Sequence, residues 1–563
     1  MPQIYDDLPR EALLEILKRR DRERKLGLVW ERQEIEKDAA VNSDFLILDE
    51  DETLSFLENG PSANLIIEAD NYDALRWLRT SRRGGVKFIY IDPPYNSGNK
   101  TFIYNDNYVD PDDSYRHSKW LEFMYQRLVL ARDLMTADGL IFVSIDDTEM
   151  ARLRLLMDIV FPGNFQVCLV WQSDGTGDNQ AAFKIKHEYI LVYSRDKSQM
   201  LPPSVLDRNL EHDSKLFNDE KRNSIIKNGA KNPVSEVLLP KGFPAAFGSG
   251  TIEPRFGEKN WPKHDACIVV DNFVVQQDVT IRSGWSSKTL LERFIAQGFV
   301  AVLDDKNQLT SFEVTKTGAI EYFKPRQDEQ SYVISVIRNV GSVQKTKGDL
   351  ARMGVVFDYP KPVGLIEYLL EMVPGKDFTA LDFFAGTGTT AEAVARLNAR
   401  DGGTRQFILA SSTEATPLEP DKNICRDACR KRLARFFSAP ENERNYPERL
   451  AGFRYGRVRR VRMGDIDSQL VPEKTWAWLQ YAHGCAPISY NAQRRVQSVE
   501  LDSGTKVIFV DRATPAAIEE VIQLANGSPA FLYTWTPGRF SDLVENKSIE
   551  IRSVPEVFLS GLA

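Results

Sequence analysis

The sequence predicts an α/β fold: a Rossmann-like, mostly parallel sheet carrying an inserted module and a small appendage at each end. Three observations predict it. Short apolar runs alternate with segments of helical spacing, the rhythm of strand-helix-strand units. The rhythm breaks once, between about Gln172 and Gln344, and then resumes. Two of the apolar runs end in turns rich in chemistry, and the carboxyl edge of an open sheet is where such folds place their sites.

A length of 563 residues allows two to four domains, and 42% hydrophobic with 27% charged residues is ordinary for a soluble protein. No apolar stretch reaches the roughly 18 residues a membrane helix needs. The opening MPQIYDDLPREALLEILKRR lacks a signal peptide's apolar centre, so a cytoplasmic protein is expected. Five scattered cysteines (Cys168, Cys267, Cys425, Cys429, Cys485) do not make a disulfide framework, and reduced thiols with structural roles are expected. The five histidines form no metal-ligand pattern, which leaves a metal hydrolase without support. A net charge of -8 opposes non-specific nucleic-acid binding, but Lys221, Arg222, Lys227, Lys231, Lys241, Arg255, Lys259 and Lys263 gather positive charge in mid-chain. Such a cluster reads equally as a DNA-binding groove or as a solvated polar insertion.

In order along the chain, residues 1–45 place Leu13, Leu14, Ile16 and Leu17 on one helical stripe before RRDRERK and read as a helical arm. Residues 46–171 give the strand NLIIEAD, the helix DNYDALRWL and the buried strand VKFIYID, which ends at paired prolines. The helix HSKWLEFMYQRLVLARDLM, a turn at Asp138-Gly139, the strand LIFVSID and the helix DTEMARLRLLMDIVF follow. Residues 172–344 hold one further apolar strand, HEYILVYS, and are otherwise loop-rich, reading as the inserted module. Residues 345–440 resume with the helix YPKPVGLIEYLLEMV, the strand FTALDFF, a Gly-rich turn, the helix TTAEAVARLNA and the strand RQFILAS. Residues 441–563 bring RVRRVR, the strand KVIFVD, the helix AAIEEVIQLA and the strand AFLYTW, enough for a small α/β appendage.

Asp92-Pro93-Pro94-Tyr95 follows the strand FIYI. The two prolines fix the backbone and remove two amide donors, leaving an acceptor-only turn. Asp92 and the Pro93 carbonyl suit an amino group with two hydrogens to give, drawing its nitrogen toward the tetrahedral form and stabilising the positive charge that develops on attack. Tyr95 offers a flat face for stacking. The bland reading is a surface turn with a capping Asp.

The second motif, Asp382-Phe383-Phe384-Ala385-Gly386-Thr387-Gly388-Thr389-Thr390, follows one strand and opens a helix. Its glycines allow close backbone approach to a ligand, and the helix start points amides at an anionic group. GTGTTA also satisfies the dinucleotide fingerprint, with Glu414 some 26 residues after Gly388 as a ribose acceptor, so a nicotinamide oxidoreductase is the rival class. That class leaves DPPY unexplained, along with the late position of the Gly-rich turn.

DPPY before DFFAGTG, with a long stretch between, resembles the amino-methylating DNA methyltransferases of the permuted (beta) class. NLIIEADNYDALRWL, FIYIDPPYNSGNKTFIYND, LIFVSIDDTE, FDYPKPVGLI and LDFFAGTGTTAEAV are similar to the modification subunits of type III restriction systems, over most of residues 60–200 and 350–435. The resemblance implies transfer of a methyl group from S-adenosylmethionine to a base flipped out of double-stranded DNA. An initial Asp implies adenine N6 as target, with cytosine N4 as the alternative. By position, Asp92, Pro93, Pro94 and Tyr95 would hold the base. Asp382, Phe384, Gly386, Gly388 and Thr389 would form the cofactor loop, and Asp70 would approach the adenosyl ring. Phe357, Lys361 and Pro362 would close over the methionine end, and Glu414 would accept the ribose hydroxyls. The insertion would recognise the target, and Arg457, Arg459, Arg460 and Arg462 would touch DNA, dock a partner or form a solvated face. The resemblance also implies a homodimer and a helicase-nuclease restriction subunit as partner. In a reading of another class, the chain is a DNA-recognition subunit for that partner with methylation incidental.

Overall fold

A computed structural model describes residues 44–554, apart from 59, 61, 98–102, 105–106, 109–115, 174–182, 204, 206–219, 258–260, 306, 326–332, 416–418, 440–451, 463–468, 502, 526–527 and 544–547. The helical arm expected at 1–45 therefore lies almost wholly outside the described residues. The chain divides into two compact units, Leu206–Tyr332 and the remainder.

The larger unit is built on one sheet. In chain order its elements are β1 (Asp44–Glu50), β2 (Leu65–Glu68), α1 (Asn71–Arg82), β3 (Val86–Ile91), α2 (Arg116–Leu134), β4 (Met135–Ile145), α3 (Met150–Val160), β5 (Phe165–Gln172) and β6 (His187–Ser194). After the second unit come β7 (Val336–Ile337), α4 (Val343–Arg352), α5 (Val363–Glu371), β8 (Thr379–Asp382), α6 (Thr389–Asp401), β9 (Gln406–Ser411), α7 (Lys431–Phe437) and β10 (Arg454–Arg462). Among the described residues the sheet order is β1-β10-β2-β9-β8-β3-β4-β6-β5-β7. The run from β10 to β4 is parallel, whereas β6 is antiparallel to both β4 and β5.

Burial on both faces explains the apolar runs. Ile89 and Ile91 of β3 join one core with Leu75 of α1, Trp120 of α2 and Leu156 of α3. Phe88 and Tyr90 point the other way, into a core with Leu369 of α5, Val394 of α6 and Leu433 of α7. Alternation along one strand thus feeds two helix layers, the mark of a doubly wound sheet. Each fully buried large side chain contributes about 1.5–3 kcal/mol of apolar transfer energy.

Two local readings change. The turn expected at Asp138-Gly139 lies inside β4, where pairing with β3 jumps from Val86–Met135 to Phe88–Leu140. The extra residues bulge within the strand, and Lys87 pairs with Asp138 at 2.7 Å. The basic RVRRVR segment is β10, between β1 and β2 of the main sheet. Its arginines meet acids of neighbouring elements: Arg457 with Asp51 at 2.9 Å and Glu68 at 3.1 Å, Arg459 with Asp49, and Arg460 with Asp73 at 2.8 Å. The solvated-face reading of these three is thus an ion-paired one.

Beyond β10, α8 (Pro472–Ala482) leads to a four-stranded sheet of β11 (Val496–Glu500), β12 (Lys506–Val510), β13 (Ala530–Thr534) and β14 (Ile549–Ser553), with α9 (Pro515–Ala525) between β12 and β13. Trp476 of α8 stacks on Phe509 with ring centroids 6.4 Å apart, tying this sheet to the helix. The second unit holds short antiparallel sheets around Phe243, Ile281, Trp285, Phe294 and Phe312. Of its basic residues, Lys227, Lys231 and Lys241 are exposed, Arg222 pairs with Glu220 and Glu313, and Lys259 lies outside the described residues. Among the described residues no helix is long and apolar enough to cross a membrane.

Candidate active site

β3 and β8 are neighbours, so the sheet sets Asp92 beside the Gly-rich turn although 290 positions separate Asp92 from Asp382. Asp92 leaves the carboxyl end of β3, and the Pro94 carbonyl accepts from Trp120 Nε1 of α2 at 2.7 Å. No described residue donates to the Pro93 carbonyl. Asn96 then adopts φ 57° and donates to the buried Glu149 at 2.6 Å, which also meets His117 and so ties down the exit of the turn.

Both carboxylate oxygens of Asp92 are engaged. Tyr95 Oη donates toward Oδ1 at 2.8 Å, and Lys361 Nζ sits 2.8 Å from Oδ2. Glu188, at the start of β6, completes the cluster, 2.7 Å from Tyr95 Oη and 3.1 Å from Lys361 Nζ. Burial pulls the Lys361 ammonium toward a lower pKa, but the charges of Asp92 and Glu188 outweigh it and hold it above the usual lysine value. Burial and the same two carboxylates push the Tyr95 hydroxyl well above 10, so it stays a neutral donor. The Tyr95 ring, expected as a stacking platform, lies 5.0 Å beneath the Lys361 ammonium.

The Gly-rich turn is braced from behind. Asp382 is buried, with Oδ1 accepting from Phe384 N at 3.0 Å and Oδ2 from Thr390 Oγ1 at 2.6 Å. Its carboxylate shapes the loop. Burial raises its pKa to about 7, against those two hydrogen bonds and with help from the nearby Asp92 charge. A folded-state pKa above the unfolded one means that this group's stabilising contribution is complete below about pH 4 and is lost as pH rises through about 7. The stability difference between wild type and Asp382→Asn, read as urea midpoints, should therefore move in favour of the variant from about pH 5 to pH 8. A difference constant over that range would refute the assignment.

Gly386 (φ 51°) and Gly388 (φ 78°) take left-handed conformations. A Cβ on Gly388 would meet Cys429 Sγ at 3.0 Å and Leu433 Cδ1 at 3.1 Å, so that glycine lets α6 start against α7. A Cβ on Gly386 would approach the Phe357 ring at 3.4 Å. Arg432 of α7 reaches Thr387 Oγ1 at 2.7 Å and Thr389 Oγ1 at 2.9 Å while pairing with Glu392 at 2.9 Å.

A cavity of about 220 Å³ lies between the two turns. Its wall brings together Asp92, Pro93, Pro94, Phe357, Lys361, Asp382, Phe384, Gly386, Thr389 and Glu414 from the residues the sequence singled out. Glu414 stands beyond the end of β9, paired with Lys422 at 3.1 Å. Asp70, Tyr95, Pro362 and Gly388 do not line it. Asp70 caps α1 through Tyr72 N at 2.8 Å and is held by Arg127 at 3.1 Å; its neighbour Asn71 reaches the wall instead. Pro362 is the residue before α5 and lines a different cavity, with Gly341 and Ser342. Sequence reasoning missed Glu188, Arg432, Trp120 and Glu149. Glu188 was visible only as the one acid in HEYILVYS, and Arg432 only as one of several bases in CRDACRKRL.

A doubly wound sheet with an acceptor-only turn and a glycine-rich turn on adjacent strand ends has the architecture of the α/β methyltransferases. The family model described as DNA methylase, that of the N6 and N4 methyltransferases, matches residues 86–416, and the chain belongs to that family. It is 32% identical over 397 residues to the Type III restriction-modification enzyme EcoPI Mod subunit of Escherichia phage P1, covering 63% of this chain and 58% of that protein. To the Type III restriction-modification enzyme StyLTI Mod subunit of Salmonella typhimurium it is 31% identical over 414 residues, covering 67% and 57%. To the Type II methyltransferase M.KpnI of Klebsiella pneumoniae it is 30% identical over 380 residues, covering 65% and 84%. The match thus spans under two thirds of the length of either Mod subunit.

Proposed function

We propose that this chain transfers the methyl group of S-adenosylmethionine to N6 of an adenine flipped out of double-stranded DNA, as the modification subunit of a type III-like restriction-modification system. The observation that carries the reading is the single cavity shared by the acceptor-only turn Asp92-Pro93-Pro94 and the Gly386 loop. The residues present fit the cofactor: the Phe357 ring faces the open backbone of Gly386, and Glu414 supplies a carboxylate suited to ribose hydroxyls at the neighbouring strand end. Phe384, Thr389 and Asn71 would complete that end, with Asp382 and Pro362 fixing the loops from behind. Lys361 would serve there through its backbone, whose carbonyl accepts from Thr389 Oγ1 at 3.4 Å. Bound S-adenosylmethionine supplies an electrophilic methyl group on a positively charged sulfur.

Asp92 and the Pro93 carbonyl would take the two amino hydrogens, aligning the nitrogen lone pair and stabilising the positive charge that grows on it. The proton leaves after transfer, when the nitrogen is cationic and acidic. The second unit, Leu206–Tyr332, would read the target, with Lys227, Lys231 and Lys241 available to phosphates. The Mod relatives, named as subunits of type III restriction-modification enzymes, support a restriction subunit as partner; its being a helicase-nuclease, and a homodimer of this chain, are carried by the family resemblance alone. The match across 84% of M.KpnI favours a second reading, a methyltransferase that acts without such a subunit.

The test is to incubate the purified chain with methyl-labelled S-adenosylmethionine and unmethylated mixed-sequence DNA, then digest and identify the labelled nucleoside. N6-methyladenine is expected. N4-methylcytosine would replace the base and keep the reaction, and absence of label with cofactor demonstrably bound would overturn the enzymatic reading in favour of a recognition subunit.

A further inference from the structure

The ammonium of Lys361 is a resident amine on the catalytic turn. Its three hydrogens face three oxygens: Asp92 Oδ2 at 2.8 Å, Tyr95 Oη at 3.0 Å and Glu188 Oε2 at 3.1 Å. Lys361 is 8% exposed, so the charge has little water to retreat into. An incoming base amine needs the same carboxylate, and Lys361 and Tyr95 hold both of its oxygens. Moving the ammonium away from every acid would strand a charge in a poorly hydrated site. Glu188 removes that penalty, because it already touches both the ammonium and the tyrosine hydroxyl from another strand of the same sheet.

The charge balance agrees. Two carboxylates and one ammonium leave one negative charge over, and methyl transfer creates one positive charge on the amine. With the base in place, Asp92 would face the new cation and Glu188 would face Lys361, each carboxylate paired once.

We propose that Lys361 masks Asp92 by standing in for the target amine, and that Glu188 is a positioning residue that takes the Lys361 ammonium when the base enters. This rests on the function proposed above. It gives HEYILVYS a purpose beyond filling the sheet: β6 carries the counter-ion that makes the mask removable. Asp92 is thereby kept satisfied in the free enzyme and released without an uncompensated charge.

The experiment measures the single-turnover rate of methyl transfer to unmethylated mixed-sequence DNA for wild type, Glu188→Gln, Glu188→Asp and the double variant Glu188→Gln/Lys361→Met. In Glu188→Gln the ammonium keeps only Asp92 as its anion, so the mask tightens and the rate should fall about tenfold, roughly the effect of 1.4 kcal/mol on a barrier. Glu188→Asp should recover most of that loss. The double variant removes the mask and should outpace Glu188→Gln, a rescue that a merely structural role for Glu188 does not give. Affinity for S-adenosylmethionine, measured by calorimetry, should stay near wild type in Glu188→Gln. The proposal is overturned by a Glu188→Gln rate equal to wild type, or by a folded double variant no faster than Glu188→Gln. If the double variant does not fold, equal rates for Glu188→Gln and Glu188→Asp overturn it. Transfer by the wild type tests the underlying function separately: its absence sinks that reading, whereas its presence with the wrong variant order sinks the masking alone.

Discussion

Replacing Asp92 with alanine is expected to lower the rate of methyl transfer by about two to three orders of magnitude, the scale set by removing one preorganised group aimed at developing charge. Asp92 supplies the carboxylate at the cavity edge where positive charge would grow, and the rigid backbone of Pro93 and Pro94 fixes its position. The loss should appear in kcat, because the interaction strengthens only as charge develops. Cofactor affinity should change little, since Gly386, Phe357 and Glu414 belong to other segments of the wall. Alanine leaves Lys361 paired with Glu188, so the fold keeps a partner for its buried ammonium. Asp92→Asn preserves shape, but both oxygens of Asp92 receive donors, and an amide nitrogen at either place sets donor against donor. Its rate should lie between wild type and alanine. A kcat unchanged in Asp92→Ala would remove the turn from the chemistry.

What was legible in the sequence follows from which signals are local. β3, β4 and β8 announced themselves because a strand buried on both faces must be apolar throughout, and the helices between them because one face must be. The two motifs were legible because proline pairs and glycines at strand ends impose unusual backbones. Partnership across the sheet was not legible. Glu188 faces Lys361 only because β6 runs antiparallel beside β4, and no local pattern encodes that register. The same limit explains β10: RVRRVR looks like a solvated or nucleic-acid-binding face until its arginines are seen against Asp49, Asp51, Glu68 and Asp73, from segments 387 to 410 positions away. The Tyr95 ring illustrates the converse. An aromatic beside a catalytic carboxylate invites a stacking role, but its hydroxyl ties it between two acids.

The largest stability effect is expected at Arg432, a residue without a motif. Its side chain is 2% exposed and that of Glu392 4% exposed, so the pair is desolvated and the Arg432 charge depends on Glu392. The guanidinium uses all three nitrogens: Nε and Nη2 reach Glu392 at 3.1 and 2.9 Å, and Nη1 reaches Thr387 Oγ1 and Thr389 Oγ1 at 2.7 and 2.9 Å. Arg432→Met leaves Glu392 buried with only the half-exposed Arg396 as counter-ion, and should cost about 3 kcal/mol, the lower end for breaking a buried pair. Against a total stability of roughly 5–15 kcal/mol this is a large fraction, readable as a shift in the urea midpoint. The double variant Arg432→Met/Glu392→Gln should recover part of the loss, because the stranded charge is gone. Arg432→Lys should recover less than its charge implies, since one ammonium does not span the carboxylate and two hydroxyls that a planar fork reaches together. Cofactor affinity should fall along with stability in Arg432→Met. Thr387 and Thr389 flank Gly388, and without Nη1 nothing described donates to their hydroxyls from α7 to hold the loop against the cavity. A midpoint equal to wild type would mean that the Arg432–Glu392 pair contributes no more than an apolar contact of the same size.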